Sequence, residues 1–514
     1  MKKGQIMEGR VLRTDFPNKG YVSTLKLDDE PATGEDYGAV VVVKNAVEGQ
    51  MVRARINKKK NSHFEAGLME VLEEGVPTEN LPLCQNSGKC GGCLYRTRSY
   101  EDTLKIKEAQ IHKLLDGACK KDGCASEQYE FEGILGSPVH LGYRNKMELS
   151  FGDSVKDGPL VLGLHRRNSM FDVLDTGDCL IASPAMNLVQ NATLEYFRRT
   201  GADYYHKMSH QGYLRHLLVR QSHFCKELLV ALVTTSQTEK LSVTEAELMD
   251  GYREAIIGLE GQLKELGVSL AGILHLTNDS VADVVRADRQ EILFGRDFID
   301  EELLGLKFKI TPFSFFQTNS AGAEVLYSKV REYIGTELDS GSGEKVVYDL
   351  YSGTGTISQL VAPVSKKVIG VEIVEEAVES ARESSAENGL SDRCEFIASD
   401  VLKALDDIED LPDCIILDPP REGVHPKALS KILSYGVQYI VYVSCKATSL
   451  VEDLEMVHAH GYHVVKACAV DMFPYTGGIE TVCLLSNRKQ KPDSYVKLSL
   501  NMEDYYRIKD AEKE

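Results

Sequence analysis

The sequence lacks several features that would assign it to a simple class. It contains no Trp, so any stacking on a nucleobase must use Tyr, Phe or Arg. No run of about 18 apolar residues occurs, which disfavours a membrane span. The opening residues, Met1–Gln5, are not followed by an apolar signal segment. Positive charge is in deficit, with 59 Lys and Arg against 78 Asp and Glu and a net charge of -19, which disfavours extensive phosphate contacts.

Cysteine is present in 12 copies, although the N-terminal residues carry no export signal. We therefore expect reduced thiols and a cytoplasmic protein, in which clustered cysteines serve as metal ligands or catalysts. The 43% apolar and 27% charged fractions exclude a disordered or fibrous chain. At about 150 residues per domain, the 514 residues predict about three domains.

Patterning divides the chain into four predicted parts. Residues 1–75 alternate short strands with turn signals and predict a small OB-like β-barrel, whose basic segment Arg53–Lys60 fits either oligonucleotide binding or a solvated strand end. Residues 76–305 predict a mixed α+β central domain. In residues 306–490, apolar strands alternate with helices, which predicts a parallel, doubly wound, Rossmann-like α/β sheet. Residues 491–514 form a polar tail.

A candidate ligand site follows four strands of the predicted α/β domain. The segment Asp349–Thr356 closes the first strand with a glycine turn that lets a ligand approach the backbone. The second strand ends in Glu372, which is placed to accept ribose hydroxyls, and the next two end near Asp400 and Asp418. Ser358 stands where the nicotinamide fingerprint has its last glycine, and the set of features resembles that of S-adenosylmethionine-dependent methyltransferases instead. The alternative is an α/β domain without a cofactor.

Two potentially reactive residues lie further along this domain. Cys445 follows a strand predicted to lie beside the Asp418 strand, and the adjacent Lys446 would favour the thiolate. Glu480 follows a glycine turn and precedes the last predicted strand, a setting that suits a general base. A buried structural thiol and a solvated loop acid are the ordinary alternatives.

Three cysteines with metal-ligand spacing lie near the start of the central region. Cys84, Cys90 and Cys93 form a C-x5-C-x2-C pattern with two glycines between the last pair. Cys179, after a Thr-Gly-Asp turn, is a candidate fourth ligand from a distant loop. The residues alone leave structural zinc and an iron–sulfur cluster open, because both accept four thiolates. A coincidental grouping is the third interpretation.

Taken together, the motifs resemble those of the RNA uracil-5-methyltransferase family over nearly the whole chain. The resemblance rests on Phe315–Asn319, Asp349–Thr356, Asp418–Arg421, Ser444–Cys445 and Glu480. It implies transfer of a methyl group from S-adenosylmethionine to carbon 5 of a uridine in RNA, with Cys445 as nucleophile and Glu480 as base. The implied donor contacts are Gln317, Tyr351, Glu372, Asp400 and Asp418.

The resemblance also implies a [4Fe-4S] cluster on the four cysteines, with zinc as the alternative, and an RNA-binding TRAM module at residues 1–75. Both features favour the branch that acts on 23S rRNA, and tRNA is the alternative substrate. A non-catalytic RNA-binding protein and a small-molecule methyltransferase are the other classes. The chain departs from the family at Lys446–Ala447, where Asn-Pro is usual, and at Ser352, where a cysteine is usual.

Cations of the central region are candidate phosphate contacts. Tyr143–Lys146 and Leu214–Arg220 mix apolar strand positions with Arg and Lys, although ordinary surface charge would give the same pattern. A base inside a stack is inaccessible to chemistry, so the target nucleotide must be flipped out. Phe315 and Phe316 are the candidates for stacking on it. With basic residues only local, we expect a small phosphate footprint.

Overall fold

The computed structural model describes residues 1–487 apart from 61–62, 77–80, 83, 120–128, 283–285, 336–344 and 408–411. The predicted polar tail, residues 491–514, lies outside this range. No helix in the described part of the chain is long and apolar enough to cross a bilayer.

The N-terminal part is a small β-structure whose strand pairings form a closed cycle. Its strands are β1 (Ile6–Asp15), β2 (Lys19–Leu27), β3 (Glu30–Pro31), β4 (Val40–Lys44), β5 (Met51–Lys59) and β6 (Phe64–Glu73). β1 pairs with β2 and β5, β5 with β6, β6 with β4, and β4 with β2. Alternation along β4 buries Val41 and Val43 in the core shared by these strands and exposes Val40 and Lys44.

The central part is built on a seven-stranded sheet. The elements that follow β6 are α1 (Tyr100–Cys119), β7 (Glu130–Leu135), β8 (Lys146–Gly152), β9 (Val161–His165), β10 (Val173–Asp175), α2 (Pro184–Thr200), β11 (Leu214–Gln221), β12 (Glu227–Thr234), α3 (Glu245–Ile257), α4 (Glu260–Glu265), β13 (Ser269–Thr277) and β14 (Arg289–Gly295). The strand order is β10-β9-β8-β11-β12-β13-β14. α2 and α3 pack together over one face of this sheet, where Phe197 and Tyr252 are buried.

A hairpin and an eight-stranded sheet complete the described chain. Their elements are β15 (Ile299–Leu303), β16 (Leu306–Ile310), α5 (Ser320–Gly335), β17 (Val346–Leu350), α6 (Thr356–Val361), β18 (Lys367–Glu372), α7 (Glu375–Glu387), β19 (Cys394–Ala398), α8 (Val401–Asp407), β20 (Cys414–Leu417), α9 (Pro426–Ser434), β21 (Tyr439–Ser444), α10 (Ala447–Ala459), β22 (His463–Val470) and β23 (Glu480–Ser486). The sheet order is β19-β18-β17-β20-β21-β23-β22-β7. Its first five strands are parallel, and β23 is antiparallel to both neighbours.

Successive residues of these parallel strands point alternately into two cores. Val347 and Val441 join a core that includes α5, α6 and α7, whereas Tyr348 and Tyr442 join one that includes α1, α9 and α10. Helices therefore cover both faces of the sheet, and the predicted doubly wound α/β fold is confirmed.

Part of the range predicted as the central domain, 76–305, instead packs with the C-terminal sheet. β7 pairs in parallel with β22, with Ile134 opposite Ala469. α1 buries Ile111 and Leu115 in the same core as β17 and β21. The sequence pattern could not show this, because the partner of β7 lies more than 300 residues away along the chain. α1 and β7 therefore belong structurally to the C-terminal unit.

Two arginines that the sequence pattern predicted as candidate phosphate contacts are buried. Arg215 is 4% exposed and donates to the carbonyls of Asn278, Ser280 and Ala282. Arg220 is 2% exposed, and its guanidinium donates to the carbonyls of Pro312 (3.0 Å) and Ser314 (2.5 Å). The phosphate-contact interpretation is therefore wrong for both, since their donors serve main-chain carbonyls inside the protein. Arg220 instead ties β11 to the segment that leads to Gln317.

Arg220→Met should lower the free energy of unfolding by about 2–5 kcal/mol, because it leaves buried carbonyls without donors. Urea denaturation followed by circular dichroism measures this change. Arg199→Met is the control, because the Arg199 side chain is 69% exposed and its ion pair with Glu195 should contribute less than about 1 kcal/mol. Equal stability of Arg220→Met and the unmodified protein would contradict the structural role.

Candidate active site

The glycine turn after β17 has a backbone that few residues adopt. Tyr351, Gly353 and Gly355 have φ values of 71°, 53° and 72°. Glycine adopts this left-handed region freely, whereas for Tyr351 it is strained. A Cβ atom on Gly355 would lie 2.5 Å from the Phe396 ring, so a side chain is excluded there. Strain of this kind in an ordinary residue is typical of ligand-binding turns.

Two of the predicted donor contacts lie directly around this turn. Glu372, at the end of β18, accepts hydrogen bonds from the N–H of Gly353 (3.1 Å) and Val374 (3.0 Å). Asp400 follows β19, and its charge adds to burial in raising the pKa of Tyr351 to about 12. The structure thus brings Tyr351, Glu372 and Asp400 to one edge of the sheet, where the sequence placed them.

Two further carboxyl groups meet at the ends of the adjacent strands β17 and β20. Burial raises the pKa of Asp349 to about 7, and burial with the charge of Asp349 raises that of Asp418 to about 7. Ser358 donates to one carboxyl oxygen of Asp349 at 2.5 Å, whereas the other oxygen has no hydrogen-bond partner. A cation bound here would lower both pKa values, because a nearby positive charge favours the ionised carboxylates.

Cys445 and Glu480 lie at the same end of neighbouring strands. β21 pairs with β20 and β23, and the pair Ser444–Thr481 sets the two residues side by side. Burial, then the charges of Glu480 and Asp418, raises the pKa of Cys445 to about 11, and Arg421 opposes them. Glu480 is 2% exposed, and burial followed by the charge of Asp418 raises its pKa well above the usual range. The cation that acts on this thiol is thus Arg421, whereas the sequence had indicated Lys446.

Gln317 is held by one contact to its main chain and one to its side chain. The side-chain amide of Asn145 donates to its carbonyl (2.8 Å) and to the hydroxyl of Ser320 (2.9 Å). The Gln317 side chain forms a hydrogen bond with Tyr327, a buried residue of α5 whose pKa is raised well above its usual value by burial and then by Asp418 and Glu480. Tyr327 is a member of the site that the sequence did not reveal, because it reads as an ordinary core residue of a helix.

The two candidate stacking residues have different environments. Phe315 is 71% exposed next to Gln317 and is free to meet a base. Phe316 is 7% exposed and packs against Phe308 with ring centres 6.0 Å apart. Phe316 is therefore a core residue, and Phe315 is the one of the pair that can contact a ligand.

The four predicted cysteine ligands come together at one place. Cys84, Cys90, Cys93 and Cys179 line a single cavity with Arg96. Burial and the charge of Cys179 raise the pKa of the other three thiols, that of Cys93 to about 12. Arg167 donates to the carbonyls of Cys90 (3.3 Å) and Cys93 (2.6 Å) and so fixes the loop. Within the described residues, no group of three or more His, Cys, Asp or Glu side chains is arranged to hold a single metal ion.

An open cleft of about 480 Å³ lies between the cysteine segment and the segment that carries Gln317. Gly91 and Gly92 line one end, and Thr318, beside Gln317, lines the other. Arg144, Lys146 and Glu148 also line it, and Lys146 forms an ion pair with Glu148 (2.5 Å).

Comparison with known proteins identifies the family. The model of the family tRNA (Uracil-5-)-methyltransferase matches residues 168–488. An uncharacterized RNA methyltransferase of Clostridium tetani is 45% identical over 94% of this chain and 98% of its own length. A second, from Caldanaerobacter subterraneus subsp. tengcongensis, is 42% identical over 94% of this chain and 99% of its own.

A solved structure shares the fold along almost the full length. The Pyrococcus abyssi tRNA (uracil-54, C5)-methyltransferase, in complex with S-adenosyl-L-homocysteine, covers 93% of this chain and 100% of its own with a TM-score of 0.65 and 24% identity. Its α/β sheet is thus the architecture seen here. On the family match and the two close relatives, the chain belongs to the tRNA (uracil-5-)-methyltransferase family.

Proposed function

We propose that this enzyme methylates carbon 5 of a uridine in 23S rRNA, with Cys445 as nucleophile and Glu480 as base. The observation that carries the proposal is the pairing of these two residues at the ends of adjacent strands, with Asp418 beside them. Glu480 is buried and Cys445 is half-buried, at the same edge of the sheet as the glycine turn. Limited access of water there would protect a covalent intermediate.

The acidic edge of the sheet fits S-adenosylmethionine, which supplies an electrophilic methyl group on a sulfonium cation when bound. Asp349 and Asp418 are desolvated carboxyls, and Asp349 keeps one oxygen without a partner. We assign Glu372 to the ribose hydroxyls, and Gln317, Tyr351 and Asp400 to the rest of the donor pocket.

Cys445 starts the reaction, because carbon 5 of uracil is a poor nucleophile on its own. Its thiolate forms a bond from Sγ to carbon 6, and the electrons of the ring double bond move toward oxygen 4 as an enolate. Carbon 5 becomes nucleophilic and would take the methyl group as the oxygen 4 carbonyl re-forms and the methyl–sulfur bond of the donor breaks. With a pKa of about 11, the Cys445 thiol must lose its proton as the uridine arrives. We assign this proton to Asp418, whose charge acts on the thiol, so that Glu480 stays available for the last step.

Glu480 completes the reaction by removing the proton that carbon 5 still carries. The electrons of that C–H bond re-form the double bond to carbon 6, the bond to Sγ breaks, and the Cys445 thiolate is released. Its raised pKa makes Glu480 a stronger base than an exposed carboxylate, which matches this step.

The N-terminal strands and the cysteine segment support an RNA substrate of the ribosomal class. The closed cycle of β1, β2, β4, β5 and β6 is compatible with a TRAM-like RNA-binding barrel, and Arg53 and Lys58 lie on one of its strands. The second candidate substrate is tRNA, favoured by the full-length fold match to an enzyme named for uracil-54 of tRNA.

The four cysteines are proposed as ligands of a [4Fe-4S] cluster with a structural role, since the reaction above contains no redox step. Their sulfurs line one cavity, and Arg96 and Arg167 lie beside them, as suits an anionic thiolate cluster. We also propose a cytoplasmic location, since a reducing compartment keeps clustered thiols available as ligands.

The substrate is tested by incubating the protein with labelled S-adenosylmethionine and either rRNA or tRNA, followed by mapping of the labelled nucleotide. We expect 5-methyluridine in 23S rRNA. Label only in tRNA would favour the second candidate, and transfer to neither RNA would overturn the proposal.

Two variants separate the chemical steps on the RNA that is labelled. Cys445→Ala should abolish methylation because no bond to carbon 6 can form, and Cys225→Ala, which changes a cysteine outside the site, should retain it. Glu480→Gln should lower turnover by about 10²–10⁴-fold and trap a protein–RNA adduct, seen as a slower band in a denaturing gel. Full activity of Cys445→Ala would contradict the mechanism.

Metal content tests the cysteine assignment. Anaerobically purified protein should contain about four iron atoms per chain and absorb near 400 nm. Cys179→Ser should lose most of that iron, whereas Cys225→Ser should keep it. Stoichiometric zinc without iron would refute the cluster.

A further inference from the structure

A buried lysine holds the loop that carries the proposed base. Residues 471–479, here called the base loop, join β22 to β23 and end beside Glu480. Lys107 of α1 is 2% exposed, and its ammonium group donates three hydrogen bonds into this loop. The acceptors are the Asp471 carboxylate (2.6 Å), the Phe473 carbonyl (3.1 Å) and the Gly478 carbonyl (2.8 Å). A single ammonium therefore fixes the loop near both its ends.

The middle of the base loop is held by the cysteine segment. The backbone N–H groups of Leu94 and Tyr95 both donate to the Tyr475 carbonyl, at 2.8 and 2.9 Å. The Arg96 guanidinium lies 4.2 Å from the centre of the Tyr475 ring. Tyr475 has a φ of 61°, a conformation that a non-glycine residue keeps only when its surroundings hold it.

We propose that Lys107 is a positioning residue for Glu480 and acts on the proton-abstraction step through the base loop. The inference rests on the proposed function. Gly478 lies two residues before Glu480, so release of its carbonyl lets the base move. Proton transfer is sensitive to such movement, and a misplacement of about 1 Å can cost about 100-fold in rate. Cys445 follows a different strand, β21, and keeps its place.

The lysine therefore affects the second half of the reaction more than the first. Cys445 should still add to carbon 6, and the methyl group should still be transferred. The covalent adduct would then accumulate, because the displaced Glu480 removes the carbon 5 proton slowly. A residue that only stabilised the fold would lower the amount of adduct and the turnover in parallel.

The test compares Lys107→Met with the unmodified protein and with Glu480→Gln on the same RNA. We expect turnover to fall about 10- to 100-fold, while the fraction of protein in the covalent adduct rises toward that of Glu480→Gln. The rate of methyl transfer in a single turnover should change less than about threefold.

A matched control and a second variant distinguish a loss of positioning from a folding defect. Lys329→Met removes another nearly buried lysine, which pairs with Glu132 (3.5 Å) and Glu332 (2.8 Å), and should leave the adduct fraction unchanged. Lys107→Met combined with Asp471→Asn removes both buried charges, so no unpaired ion remains. We expect the double variant to bind S-adenosylhomocysteine and to accumulate adduct.

The outcomes separate this inference from the proposed function. If Glu480→Gln traps adduct but the Lys107 variants lose turnover and adduct together, the positioning role is overturned and the mechanism stands. Loss of S-adenosylhomocysteine binding by both Lys107 variants would also overturn it, because the lysine would then support the whole fold. If Glu480→Gln itself traps no adduct, the proposed function fails first.

Discussion

The register of three neighbouring strands determines where the reactive groups lie. β20, β21 and β23 pair so that Asp418, Cys445 and Glu480 are found at one edge of the sheet. A slip of one residue in β23 would turn Glu480 to the opposite face, because side chains alternate along a strand. Apolar residues on both faces of these strands prevent such a slip, since each face is buried under helices. Core packing thus fixes the geometry of the site.

The same edge concentrates carboxyl groups in a place where they are poorly solvated. Asp349 and Asp418 have raised pKa values mainly because of burial, and so has Glu480. In a structural site this would be a net cost, since an apolar residue would pack as well. Under the proposed mechanism this cost has a purpose, because one carboxylate attracts a cation and another accepts a proton.

The sequence predicted the C-terminal sheet well because its information is local. Each parallel strand is an apolar run followed by a polar residue, so Glu372 and Cys445 could be assigned to strand ends. The charges of Arg215 and Arg220 misled the prediction, because a cation that serves buried carbonyls has the same sequence pattern as one on a surface. Tyr327 and Arg421 were missed as partners of the site, since their contacts arise only when distant segments pack.

β7 is a strand of the C-terminal sheet, and α1 packs against that sheet. The central sheet is therefore an insertion between two parts of one folding unit. The chain leaves that unit after β7 and returns to it with the hairpin of β15 and β16, about 160 residues later, since Ile299 and Phe308 share a core with α5 and α6. During synthesis, α1 and β7 are made early, but β7 can pair only after its partner strand, β22, has been made. The edge that carries Cys445 and Glu480 is therefore complete only once β23 has been made, and a chain that ends before Glu480 cannot present it.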